Sequence, residues 1–253
     1  MIRIIFLVLV LSAPSALFAQ YASTYPAALL PYENSVCRVT VQDAGGTKSH
    51  GSGLLIQPPS SHAGKNYVLT AYHVIRDRSL SIQQPVSVTW NGEDYFTTTV
   101  CAARPQNDAA ILELVHVPQH LLKVPLAAGD ILPGEQAYLF GFGTTEENRL
   151  RCSGGPTIDY TSNSQGDPCW FTFTGHARDG DSGGPVFVVR NGRPYVVGCG
   201  WGTRFNSDRN HYVIAATRLC IVRRIFGLET SPILRRIPRR STNTQTMIYS
   251  GSS

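Results

Sequence analysis

Short apolar runs, many of them alternating with polar residues, recur along most of this chain, and glycine or proline interrupts nearly every gap between them. The clearest runs are residues 36–41, 51–56, 67–70, 86–90, 95–101, 110–115, 136–140, 170–174, 186–189, 195–199 and 212–215. A side-chain period of two suits a pleated strand with one buried face, and spans this short are too brief for self-standing helices. The 23 glycines and 16 prolines are spread out rather than clustered, as turns between many strands require. Helical spacing is convincing only over residues 218–226, where Leu219, Val222 and Phe226 share one face and Gly227 provides a stop. The pattern predicts an all-β sandwich or barrel. At 253 residues the chain can form one large domain or two small ones.

The two ends differ from this middle. Residues 1–19 read as a signal peptide: Arg3 supplies the positive start, residues 4–11 a short apolar core, and Ala16-Leu17-Phe18-Ala19 the cleavage site. A leader, residues 20–32, is expected to be loosely ordered. Residues 228–253 form a basic tail dominated by Pro, Arg, Ser and Thr and expected to be disordered. Between them lies one domain, residues 33–227. The signal directs the protein outside the cell or into the periplasm and envelope, with no transmembrane anchor left after cleavage. Six cysteines, Cys37, Cys101, Cys152, Cys169, Cys199 and Cys220, suit an oxidising compartment; about 15 pairings are open to six cysteines and the sequence does not choose among them, Cys152–Cys169 and Cys199–Cys220 being two candidate bridges. The net charge of +5 owes much to late arginines such as Arg223, Arg235 and Arg239. Lacking an interleaved aromatic platform, they read as a solvated tail, and no nucleic-acid partner is expected. No metal or cofactor is expected either; His116 and His120 are four apart but straddle Pro118, which breaks the helix a metal pair would need.

Three local patterns carry chemistry. Leu69-Thr70-Ala71-Tyr72-His73-Val74 is an apolar strand ending in a histidine. Asn107-Asp108-Ala109-Ala110-Ile111-Leu112 is an aspartate entering another strand, and Gly180-Asp181-Ser182-Gly183-Gly184-Pro185-Val186 sets a serine in a glycine-rich turn. A serine hydroxyl is a poor nucleophile until an imidazole takes its proton, and imidazole can both accept that proton and return it to a leaving amine. A carboxylate behind the ring fixes its tautomer and stabilises the imidazolium. The oxyanion of a tetrahedral intermediate needs preorganised N–H donors, here assigned to Gly180 and Ser182.

These three motifs resemble the histidine, aspartate and serine motifs of the trypsin-like (chymotrypsin-fold) serine protease family over roughly residues 33–227, with spacings similar to its compact bacterial members. The resemblance implies two packed, antiparallel six-stranded β-barrels, the first about residues 33–120 and the second about 130–227, with a short C-terminal helix. It also implies a secreted serine endopeptidase acting on protein or peptide substrates through an acyl-enzyme. His73, Asp108 and Ser182 are then the triad, Gly200, Trp201 and Gly202 the strand that pairs with substrate backbone, and His176 the floor of the primary specificity pocket. With His211, His176 suggests a pocket for acidic or small polar side chains. The chain departs from the family at several points. Tyr72 stands where alanine is usual, no cysteine follows His73, and Gly200 replaces the serine that usually supports the triad carboxylate. No activation site supplies a new N-terminus for Asp181, so Arg149, Arg151 or Arg178 is expected to neutralise it.

Two other classes compete with this reading. Gly180-Asp181-Ser182-Gly183-Gly184 also fits the nucleophile elbow of α/β-hydrolases, but that fold needs its acid and histidine after the serine. Here Asp208 and His211 stand merely three apart, and no strand–helix alternation precedes Ser182. A catalytically inactive protease-fold binding protein is the remaining alternative.

Overall fold

The computed structural model describes residues 25–42, 45–76, 86–127, 129–143, 149–161, 169–206 and 211–225. The expected signal peptide, the start of the leader and the basic tail lie outside them. Strands β1 (Val36–Gln42), β2 (Lys48–Ile56), β3 (Asn66–Thr70), β4 (Val86–Trp90), β5 (Glu93–Arg104) and β6 (Ala109–Leu114) close in the order β1-β2-β3-β6-β5-β4. A second antiparallel barrel takes β7 (Gln136–Gly141), β8 (Arg151–Thr161), β9 (Trp170–Thr174), β10 (Pro185–Arg190), β11 (Arg193–Asn206) and β12 (His211–Arg218) in the order β10-β11-β12-β9-β8-β7. Pairing of β1 with β4 and of β10 with β7 completes the two rings. The all-β, two-barrel expectation holds, as does the short terminal helix, α2 (Leu219–Ile225).

Local sequence explains the hairpins. Asn91-Gly92 and Asn191-Gly192 all have positive φ, at 51°, 84°, 51° and 73°. They form two-residue turns between Trp90 and Glu93 and between Arg190 and Arg193, the connection whose twist matches that of paired strands.

Burial along β2, β3 and β6 explains how the barrels join. Leu55, Val68 and Leu112 fill the first barrel. The intervening Leu54, Ile56, Leu69 and Ile111 point the other way, into one cluster with Phe140, Phe171, Phe173 and Phe187 of the second barrel. Each such side chain is fully buried and stabilises the fold by about 1.5–3 kcal/mol. On the far side of the second barrel, Arg190 grips Glu135 at 2.6 and 2.8 Å and donates to the Asp130 carbonyl at 2.7 Å. Arg218 pairs with the Asp130 carboxylate and lies 4.9 Å above the Tyr160 ring.

Three expectations are corrected. Ala27–Ser35 is a 3₁₀ helix rather than loose leader; Leu29 is buried and Tyr25 packs edge-on against Phe140 at 5.0 Å. Residues 151–161 form β8, a strand absent from the runs the sequence marks. No disulfide joins any two of Cys37, Cys152, Cys169, Cys199 and Cys220, so neither expected bridge is present among the described residues. Cys199 instead sits in the barrel seam as a thiol 4.0 Å from the Thr70 carbonyl.

Candidate active site

The expected triad residues come from three separated elements. His73 lies on α1 (Tyr72–Ile75), the single turn that β3 enters as it leaves the first barrel. Its backbone N–H donates to Asp108 Oδ1 at 2.8 Å, and its ring Nδ1 lies 2.7 Å from Asp108 Oδ2. Both carboxylate oxygens therefore hold one residue, so the ring is fixed in direction and its Nδ1 bears the proton. Gly200, where the family usually has a serine, has no hydroxyl to offer this carboxylate.

Asp108 adopts a φ of 52°, a left-handed conformation unusual for a side-chain-bearing residue. Strain of this kind persists when the surroundings over-determine it. The second barrel does so: the Asn107 carbonyl accepts bonds from Thr217 Oγ1 at 2.6 Å and Trp170 Nε1 at 3.4 Å.

Ser182 stands in the turn before β10. Its carbonyl accepts from Ser52 N–H at 2.7 Å, and Gly183 N–H donates to the Gly200 carbonyl at 2.7 Å. A Cβ on Gly183 would come within 2.3 Å of the Ser52 carbonyl and of Thr70 Oγ1, and φ there is 83°, so glycine is required. The Ser182 turn and the His73 turn meet around Gly51. A Cβ at Gly51 would be 2.6 Å from the Val74 side chain and 2.9 Å from the Ser182 carbonyl. The Ser182 hydroxyl donates to the Trp201 carbonyl at 3.3 Å rather than to His73.

Among the described residues, neither the Gly180 nor the Ser182 amide, the two expected oxyanion donors, donates to a backbone carbonyl in this turn. Ser52, which sequence reasoning did not single out, braces the same loop. Fully buried, it donates from Oγ to the Gly180 carbonyl at 2.7 Å and accepts Phe142 N–H at 3.0 Å. Its signal was the Gly51-Ser52-Gly53 sequence, a polar residue between two glycines at the mouth of an apolar strand.

Asp181 is almost wholly buried, and burial raises its carboxyl above the usual range. Arg178 N–H, at 2.9 Å from Oδ2, and the Arg151 guanidinium, at 4.0 Å, oppose that rise. Of the three arginines expected to neutralise it, Arg151 is thus within ion-pair distance, and Arg178 contributes chiefly through its backbone. The Cys199 thiol is likewise pushed up, by burial and then by the charge of Asp108.

The expected substrate strand has a suitable edge. Pairing of β11 with β10 ends at Cys199, and the register with β12 slips between Gly200 and Gly202. This bulge turns the Trp201 carbonyl toward Ser182 while its indole packs on Trp170 at 5.4 Å. His176 is exposed, with its N–H bonded to Ser153 Oγ at 2.8 Å, and Thr203 Oγ1 bonds the Ala177 carbonyl at 3.3 Å to tie that segment to β11. The His211 side chain lies outside the described residues.

A two-barrel fold with this turn, strand edge and histidine–aspartate pair defines the serine endopeptidase class. The chain belongs to the trypsin-like peptidase family, whose domain matches residues 51–199. Among solved structures it is similar to the active form of the Rv3671c protease from M. tuberculosis, at 21% identity and a TM-score of 0.59, covering 82% of this chain and 86% of that one. It is also similar to a serine endoprotease from Yersinia pestis, at 16% identity and a TM-score of 0.58 over 78% and 63% of the two chains. The HtrA-type protease AlgW with a tripeptide gives 17% and 0.58, over 77% and 59%. At these identities the likeness to solved structures concerns the fold. No curated protein matches the sequence significantly.

Proposed function

We propose that this endopeptidase is exported and cleaves peptide bonds through an acyl-enzyme on Ser182. The observation that carries the reading is the double grip of Asp108 on His73 beside the Ser182 turn. Rotation of Ser182 about one side-chain bond, between staggered wells, swings Oγ from the Trp201 carbonyl toward the imidazole. His73 Nε2 takes the hydroxyl proton as Oγ attacks the scissile carbonyl carbon. The carbonyl π electrons move to oxygen, where the amides of Gly180 and Ser182 receive the oxyanion; one such donor is worth about 2.7–4 kcal/mol. The C–N bond then breaks, with Nε2 returning its proton to the leaving amine. Water, deprotonated by the same nitrogen, releases the acyl group and restores the serine. The edge at Trp201 and Gly202 holds extended substrate as an added strand, and His176 favours acidic or small polar side chains before the scissile bond.

The test is labelling of folded protein by a fluorophosphonate, with Ser182→Ala alongside. Labelling that vanishes in the variant supports the triad. The inactive-binder reading has one observation in its favour, the Ser182 hydroxyl bonded to Trp201 rather than His73, and absence of labelling in folded wild-type protein would establish it. Mass spectrometry of the exported protein tests the signal: a mature chain starting at Gln20 is expected, and one retaining residues 1–19 refutes it.

A further inference from the structure

Asp108 keeps its φ of 52° at a junction, between the 3₁₀ turn Pro105–Asn107 and the start of β6. The peptide unit joining Asn107 to Asp108 is rigid, so the direction of the Asn107 carbonyl and the φ of Asp108 turn together. Whatever fixes that carbonyl therefore fixes Asp108. Two donors reach it, both from the second barrel: Thr217 Oγ1 at 2.6 Å and Trp170 Nε1 at 3.4 Å.

These donors belong to one row. Cross-strand partners point to the same side of a sheet, and the register aligns Cys199 with Thr217 and Thr217 with Trp170. Cys199 and Thr217 are fully buried, and Trp170 nearly so. The row meets the first barrel at both elements that carry the histidine–aspartate pair. Cys199 Sγ lies 4.0 Å from the carbonyl of Thr70, the last residue of β3 before the His73 turn, and it feels the charge of Asp108. The same sulfur hydrogen-bonds the Thr217 side chain, which holds the hydroxyl between thiol and carbonyl.

Gly200 cannot share this duty. Successive residues of a strand face opposite sides, and a Cβ at Gly200 would lie 2.7 Å from Leu139 Cδ1, on the other face of the sheet. The hydroxyl turned toward the acid is Thr217's, on the neighbouring strand. Without it, the Asn107–Asp108 peptide is free to rotate and relieve the left-handed conformation of Asp108. That rotation tilts the Cα–Cβ bond and draws both carboxylate oxygens off their bonds of 2.8 and 2.7 Å to His73.

We infer that Thr217 is a positioning residue: through the Asn107 carbonyl, its hydroxyl sets the Asp108 carboxylate against His73. The inference rests on the proposed nucleophile Ser182, and its test separates the two. Wild type, Thr217→Val and Thr217→Ser are compared for the rate of fluorophosphonate labelling, well below their melting temperatures, and for the downfield proton resonance of His73 Nδ1–H. Valine matches threonine in shape and lacks the donor. Thr217→Val is therefore expected to label about tenfold more slowly, with the resonance moved upfield. Thr217→Ser keeps the hydroxyl and is expected to label within about twofold of wild type. Should Thr217→Val fail to fold, Trp170→Phe deletes the longer bond to the same carbonyl, and labelling about threefold slower is expected. Labelling at the wild-type rate in the variant that folds, slowed labelling with an unmoved resonance, or a Thr217→Ser protein no faster than Thr217→Val overturns the role of Thr217 alone. Wild type that does not label overturns Ser182 as nucleophile, and the resonance by itself then decides the positioning role.

Discussion

Replacing Asp108 with asparagine keeps the shape of the site and removes one of its acceptors. In the protein as it stands, Oδ1 accepts His73 N–H at 2.8 Å and Oδ2 faces Nδ1 at 2.7 Å. An amide in that place offers one oxygen and one NH₂ group. If the oxygen stays on the backbone N–H, the NH₂ meets Nδ1, which must become an acceptor, and the ring proton moves to Nε2, the atom that has to receive the Ser182 proton. If the amide is reversed, the backbone N–H confronts a donor and the turn carrying His73 shifts. Hydrogen bonds to charged groups contribute about 1.5–3 kcal/mol each. Weakening both amounts to about 3–6 kcal/mol, or a rate loss of about 10²–10⁴-fold at 1.36 kcal/mol per decade. The assay is the second-order rate of fluorophosphonate labelling of Ser182, with a thermal melt to confirm folding. An Asp108→Asn variant that melts like wild type and labels within tenfold of it would refute the view that this carboxylate prepares the imidazole.

Three further outcomes are expected. Ser52→Ala deletes the bonds to the Gly180 carbonyl and Phe142 N–H; labelling should slow about tenfold through a displaced oxyanion loop, and an unchanged rate would count against its bracing role. Gly202→Ala meets open space and should fold normally yet raise KM for extended peptides, whereas Gly198→Ala would drive a Cβ to 2.0 Å from the Thr217 carbonyl and should fail to yield soluble enzyme; equal melting of the two contradicts the packing argument. Burial raises the Glu135 carboxyl, but its bonds from Arg190 and from Leu132 N–H outweigh that and leave it below its ordinary 4.5. Its stabilisation is therefore present above pH 4.5 and lost as pH falls through the lower folded value. Glu135→Gln should melt earlier at pH 7, with the gap closing in acid; a gap that widens in acid refutes the sign.

The candidate site was legible because the proposed acyl transfer restricts which residue types can stand at 73, 108 and 182, and because glycines at 180 and 183 are demanded by positive φ. Strands were legible wherever apolar and polar residues alternate. They failed to show at β8, where Gly154, Gly155 and Pro156 read as breakers. In the folded barrel those glycines permit close approach, since a Cβ on Gly155 would sit 1.8 Å from Thr174 Oγ1 and one on Gly154 2.3 Å from the Ala137 carbonyl. That requirement arises from neighbours distant in the chain, so no local pattern announces it. The same holds for the docking of Leu29, for the arginine that faces Asp181, and for the cysteines, whose even number implies pairing only if geometry brings sulfurs together.

The seam formed by Leu54, Ile56, Leu69 and Ile111 has a consequence for how the enzyme can be divided. These side chains belong to the half that carries His73 and Asp108, yet they are buried against the half that carries Ser182. Expressed as separate pieces, each half would present a broad oily surface to water, and neither would remain soluble alone. Supplied together, the same surfaces offer a route to reassembly. The spacing between the His73 ring and the Ser182 hydroxyl is thus set by hydrocarbon contact across a wall, a constraint stiffer than any surface loop could impose.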